Sequence, residues 1–133
     1  MNIDQIKTVL LIDDDPVNNI VNTRIIERYM TTKVKVYDEA GEAFRQLSHW
    51  PDAEFPEIIF LDINMPEMNG WDFLEAMQVL PYHVWDKCRI VMLSSSIDSA
   101  DIKKARTYPM VEDFISKPLT ADKLNRITAE LLK

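Results

Sequence analysis

Residues 9–16, VLLIDDDP, run four apolar side chains into Asp13, Asp14 and Asp15. At ~4 Å two unit charges repel by about 1 kcal/mol in water and about 4 kcal/mol at an effective dielectric near 20. One turn aspartate needs no explanation, but three at a strand end point to a bound cation or to a local charge cost accepted for function. Two further apolar runs end in a chemically capable residue, IIFLD in Asp62 and RIVMLS in Ser94, and the mixed stretch VEDFIS is followed by Lys117. Grouped carboxylates suit Mg²⁺ (or Mn²⁺), which takes one or two of them and leaves its remaining positions to water and phosphate oxygens. Asp62 can then act as a nucleophile, because carboxylates form aspartyl-phosphate. Lys117 offers a point charge to the phosphoryl oxygens, and Ser94 a hydrogen bond. Each residue also has a plain structural role open to it: a turn for Asp13 and Asp14, a helix cap for Asp15, Ser94, Ser95 or Ser96, and a solvated loop for Lys117.

The elements that must position these groups are short. Residues 7–13, 33–37, 58–62, 89–94 and 111–116 read as strands, four of them mostly apolar. Between them the spacing predicts helices. Asp15 caps the first, with Pro16 at its opening position and Val17, Ile20, Val21, Ile25 and Tyr29 at helical spacing. A second runs from an Asp38 cap to about Ser48, with Ala43, Phe44 and Leu47 inward. A third spans Trp71–Leu80 and stops at Pro81. A polar helix covers Asp98–Thr107, and Thr120 caps a last one with Leu124, Ile127 and Leu131 on one face. Strand and helix alternate five times, so the expected fold is an α/β, doubly wound, flavodoxin-like (βα)5 domain. Its five-stranded parallel sheet takes the order 2-1-3-4-5. Ligands in such sheets bind beyond the carboxyl ends of the strands, where all the singled-out residues stand.

The remaining composition narrows the class. The chain has 133 residues, 47% hydrophobic and 28% charged, which suits one globular domain over 1–133 with no output domain. A net charge of −7 argues against direct nucleic-acid binding. Two glycines leave no glycine-rich nucleotide loop, and the single cysteine, Cys88, allows no internal disulfide. With no apolar run of membrane length and no signal-peptide pattern, the expectation is a cytoplasmic protein that does not bind membranes.

The motifs LLIDDDP, IIFLDINMPEMNGWDFL, IVMLSSS and FISKPL together resemble the receiver domain of two-component response regulators over essentially the whole chain, of the stand-alone type similar to chemotaxis regulators. The resemblance implies Asp62 as phosphoacceptor and a phosphohistidine donor on a histidine kinase or histidine phosphotransfer protein. It implies Mg²⁺ on Asp14, Asp62 and the Asn64 carbonyl, with Asp13 acting largely through water. Ser94 would be the switch hydroxyl, Lys117 the phosphoryl-binding lysine and Phe114 the aromatic switch position. The helix over 98–107, the strand over 111–116 and the last helix would then present a surface to a separate downstream protein. Such a protein catalyses its own phosphorylation and dephosphorylation and is not a turnover enzyme. Departures from the pattern are YPMVED without a glycine before the fifth strand, Phe114 in place of a tyrosine, and a bulky loop over 48–57. Trp71, Met65, Pro66 and Met68 serve either a partner surface or packing over the Asp62 loop. Two other readings compete: a haloacid-dehalogenase-type phosphohydrolase with Asp13 as nucleophile, which fits DDDPV, and an unphosphorylated receiver-like interaction module.

Overall fold

A computed structural model describes residues 5–51 and 54–131. Five strands, β1 (Thr8–Ile12), β2 (Lys33–Tyr37), β3 (Ile58–Asp62), β4 (Arg89–Ser94) and β5 (Val111–Ser116), form one parallel sheet in the order β2-β1-β3-β4-β5. The helices are α1 (Pro16–Tyr29), α2 (Ala40–Ser48), α3 (Gly70–Val79), α4 (Tyr82–Trp85), α5 (Ser99–Ala105) and α6 (Ala121–Leu131). The expected doubly wound architecture is therefore present. None of the described helices is long and apolar enough to cross a membrane.

Strand alternation divides the core in two. Leu10, Ile12, Ile59, Leu61, Ile90 and Met92 face α2, α3 and α5, where they meet Ala43, Leu47, Phe73, Leu74, Met77 and Ala105. Val9, Leu11, Phe60, Val91 and Leu93 point the other way, onto Ile26 of α1 and Leu124, Ile127 and Leu131 of α6. Covering both faces explains why β1 and β3 are buried along their whole length. Register pairs Ile12 with Leu61 and Asp62 with Leu93, so the chemically capable strand ends share one edge.

The caps explain most helix starts. Asp15 accepts from the amides of Val17 and Asn18, with Pro16 next to it. Asn69 and Asp72 form a reciprocal capping box for α3. Thr120 accepts from the Lys123 amide at 3.3 Å at the start of α6. Asp98 accepts from the Ala100 amide, so an aspartate caps α5 and none of Ser94, Ser95 or Ser96 does.

Three expectations need correction. Most of the apolar residues at helical spacing on α1 turn outward: Val17 is 65% exposed, Ile20 53%, Tyr29 44% and Val21 39%, while Ile25 packs half-buried against the core. Its buried positions are Asn19, Asn22 and Ile26. Hydropathy selects the wrong face because two of the inward places belong to asparagines that bond to backbone. Asp38 does not cap α2, since the cap position falls on Glu39 and carries no side-chain bond. The four-residue α4 lies after Pro81, where no helix was expected, and Trp85 fastens it by donating from Nε1 to the Leu80 carbonyl at 3.1 Å. Part of the 48–57 loop, residues 52–53, lies outside the described residues.

Candidate functional site

The site assembles where β1, β3, β4 and β5 end. Asp13 follows β1 and is buried, its amide donating to the Tyr37 carbonyl at 3.1 Å and its Oδ1 accepting from the Asp15 amide at 2.9 Å. Asp14 is exposed beside it. Asp62 closes β3, is 3% exposed, and accepts at Oδ1 from the Asn64 amide at 3.3 Å. One carboxylate oxygen each from Asp13, Asp14 and Asp62 lies within 4.8 Å of the others.

Lys117 reaches in from the end of β5 and bridges two of these acids. Its Nζ stands 2.9 Å from Asp13 Oδ2 and 3.0 Å from Asp62 Oδ1. Burial pulls the ammonium's pKa down, but contact with Asp13 and Asp62 outweighs it and leaves the group above the ordinary lysine value. Burial pushes the Asp62 carboxyl up; the Lys117 hydrogen bond opposes this, the Asp13 charge adds to it, and the pKa comes to about 6. Three carboxylates against one ammonium leave two negative charges in a small volume. That all-oxygen set, with no histidine or cysteine in the group, fits a hard divalent ion such as Mg²⁺ or Mn²⁺.

The backbone around Asp62 is tightly fixed. The Ile63 amide donates to the Leu93 carbonyl at 3.3 Å, and the Gly70 amide to the Ile63 carbonyl at 2.9 Å. A Cβ on Gly70 would stand 2.8 Å from the Asp62 carbonyl oxygen and 2.9 Å from Ile63 Cα, so the start of α3 is pressed against the phosphoacceptor candidate. Between them the chain turns at Glu67, with φ 65° and the Met68 amide donating to the Pro66 carbonyl at 2.8 Å. That i→i+2 bond defines a γ-turn, an uncommon and strained conformation. Met65 is buried, and Met68 and Trp71 pack against the core; of the four residues only Pro66 lies open.

Asp13, Asp14, Asp62 and Lys117 thus come together as the sequence predicts. Ser94 reaches the same edge but is otherwise engaged: its hydroxyl donates to the Ser96 carbonyl at 2.6 Å and accepts from the Ser96 amide at 3.2 Å. Asn64 touches the site through its amide. Phe114 sits two residues before the end of β5, paired in register with Met92 and packed on the core. Sequence reasoning missed Asn19 and Asn22, which nothing in the pattern sets apart from the other polar residues of α1, Asn18, Thr23, Arg24, Glu27 and Arg28. It also missed Gly70 as a contact and Lys123, whose Nζ donates to the Ser116 and Pro118 carbonyls at 2.9 and 3.1 Å, on either side of Lys117.

The family model for the response regulator receiver domain matches residues 9–129, and the chain belongs to that family. A two-component response regulator from Cytophaga hutchinsonii is similar in structure, with a TM-score of 0.88 and 35% identity over 96% of this chain and 97% of that one. Among curated relatives, the transcription factor SKN7 of Chaetomium thermophilum is 30% identical over 94% of this chain and 16% of its own length. The cyclic di-GMP phosphodiesterase response regulator RpfG of Xanthomonas campestris is 27% identical over 94% of this chain and 32% of its own. The chain therefore spans a third or less of these two relatives. Accepting a phosphoryl group on aspartate, in two-component signalling, is the function of this family. Membership favours it over the dehalogenase-type and unphosphorylated-module readings.

Proposed function

We propose that Asp62 is the phosphoacceptor and that a phosphohistidine on a histidine kinase or phosphotransfer protein is the donor. The observation that carries this is the Lys117 ammonium, held 3.0 Å from Asp62 Oδ1 at the end of a central strand. In the transfer an Asp62 carboxylate oxygen forms the new O–P bond while the N–P bond to the donor imidazole breaks. Asp62 is ionised at neutral pH, since its pKa of about 6 lies below it. Lys117 steadies the phosphoryl oxygens, and the Ser94 hydroxyl turns to them from the Ser96 carbonyl. Asp14, Asp62 and the Asn64 carbonyl would hold Mg²⁺, with Asp13 acting through water. The bound ion supplies charge neutralisation and a template for the phosphoryl oxygens. Capture of Ser94 draws the loop before α5 inward, Phe114 follows, and the surface of α5, β5 and α6 changes for a downstream protein to read.

Incubation with acetyl phosphate and Mg²⁺ tests the assignment. One base-labile phosphoryl group should map to Asp62, disappear in Asp62→Asn and persist in Asp15→Asn. Labelling of Asp13 instead would overturn it in favour of the phosphohydrolase.

A further inference from the structure

Two asparagines face inward from α1 and hold backbone on opposite sides of the site. Asn19 donates from Nδ2 to the Asp13 carbonyl at 2.8 Å. Asn22, 1% exposed, accepts at Oδ1 from the Leu119 amide at 3.2 Å, across 97 residues of sequence. Leu119 lies two residues beyond Lys117. Being three apart on a helix, the two side chains share one face, so a single rigid element grips both loops.

Burying an amide side chain is costly unless its hydrogen bonds are met. A leucine would serve either position better if packing were the only demand, as Ile26 does one turn on. The bonds themselves go to places the sheet ladder does not reach. Asp13 lies past the end of β1, and its carbonyl is taken by Asn19. Lys117 lies past β5; its amide donates to the Ser94 carbonyl at 2.8 Å, and Asn22 secures the chain on its far side.

We infer that Asn19 and Asn22 are positioning residues for phosphoryl transfer, Asn19 setting the metal-side acid Asp13 and Asn22 setting Lys117. The inference rests on Asp62 being the phosphoacceptor. Neither side chain touches a reacting atom; each acts through the backbone it holds. Their losses therefore have different signatures. Without Asn19 the acid pair loosens and the ion is held less tightly. Without Asn22 the three carboxylates stay in place while the lysine drifts. A purely structural role predicts no such division, only a common loss of stability.

Asn19→Ala and Asn22→Ala in the full chain separate the two. Mg²⁺ affinity is read by titration, and phosphorylation by phosphoramidate is timed at saturating Mg²⁺. Asn22→Ala should slow phosphorylation about 10- to 100-fold, with its Mg²⁺ dissociation constant within about twofold of wild type. Asn19→Ala should weaken Mg²⁺ binding roughly tenfold and regain most of the rate at saturation. Asn22→Asp, which keeps the acceptor oxygen, should recover much of the rate, and Asn22→Ser carries the comparison if the alanine variant does not fold. Parallel changes in both quantities that track the melting temperature, or no change in either, overturn the inference. An unlabelled wild type would instead defeat the phosphoacceptor assignment, while the Mg²⁺ titrations still decide whether Asn19 and Asn22 differ.

Discussion

Asp62→Asn should make the metal-free protein more stable, even though it removes an ion pair. The carboxyl is pushed from an ordinary 3.8 to about 6, and that value already includes the attraction of Lys117. Ionising Asp62 in the fold is therefore a net cost, and asparagine mimics the uncharged form. The sign follows from proton binding. Below about pH 4 the carboxyl is protonated folded and unfolded alike, so no charge penalty exists. Between about pH 4 and 6 the unfolded chain ionises first, the folded state holds more protons, and stability falls as pH rises. Above about pH 6 the whole penalty is present. A rise of that size is worth at most about 3 kcal/mol, and water at the mouth of the site brings the expectation to roughly 2 kcal/mol. Urea unfolding in EDTA at about pH 4, 5, 6 and 7.5 measures it, with the gap opening from near zero to its full size. Added Mg²⁺ should close the gap by stabilising the wild type alone. A variant less stable than wild type at about pH 7.5, or a gap that ignores pH, would refute the reasoning.

Two further outcomes follow from the same geometry. Gly70→Ala puts a methyl group against the Asp62 and Ile63 backbone, and should cost about 1–3 kcal/mol by forced displacement and slow labelling of Asp62; an unchanged urea midpoint would show the contact to be slack. Ser94→Ala should still phosphorylate, more slowly, but show little chemical-shift change over residues 98–116 with beryllofluoride, where wild type shows large changes; equal responses would mean that the Ser94 hydroxyl does not drive the switch.

The site was legible because its acids and Ser94 terminate apolar runs and Lys117 closes the remaining strand of the same alternation. Strands buried on both faces announce themselves, and in a doubly wound sheet their ends must meet at one edge. Asp13, Asp14, Asp62 and Lys117 could be placed on that logic alone. The supporting groups were not, and α1 shows why. Its buried face carries Asn19, which donates to the Asp13 carbonyl, and Asn22, which accepts from the Leu119 amide, bonds that no periodicity of hydropathy records. The commitment of Ser94 to Ser96 was equally invisible, because a hydroxyl's partner depends on the path of the loop beyond it. α4 escaped because Pro81 marks both the end of one helix and the start of a short second one.

The buried strands carry a consequence for the chain before it folds. VLLI, IIFL and IVML combine strong β-propensity with no charge, the pattern of segments that self-associate when exposed. Parallel sheets form slowly, since their pairings span long loops, and slow pairing prolongs the exposure of such segments. Each is guarded by nearby charges: Lys7 and Asp13 around the first, Glu57 and Asp62 around the second, Arg89 before the third. Two of the site's own acids, Asp13 and Asp62, thus stand where gatekeeper charges would. Neutralising them relieves repulsion in the finished fold but strips protection from the nascent chain, so selection for a tighter native state and selection for clean expression pull on the same aspartates in opposite directions.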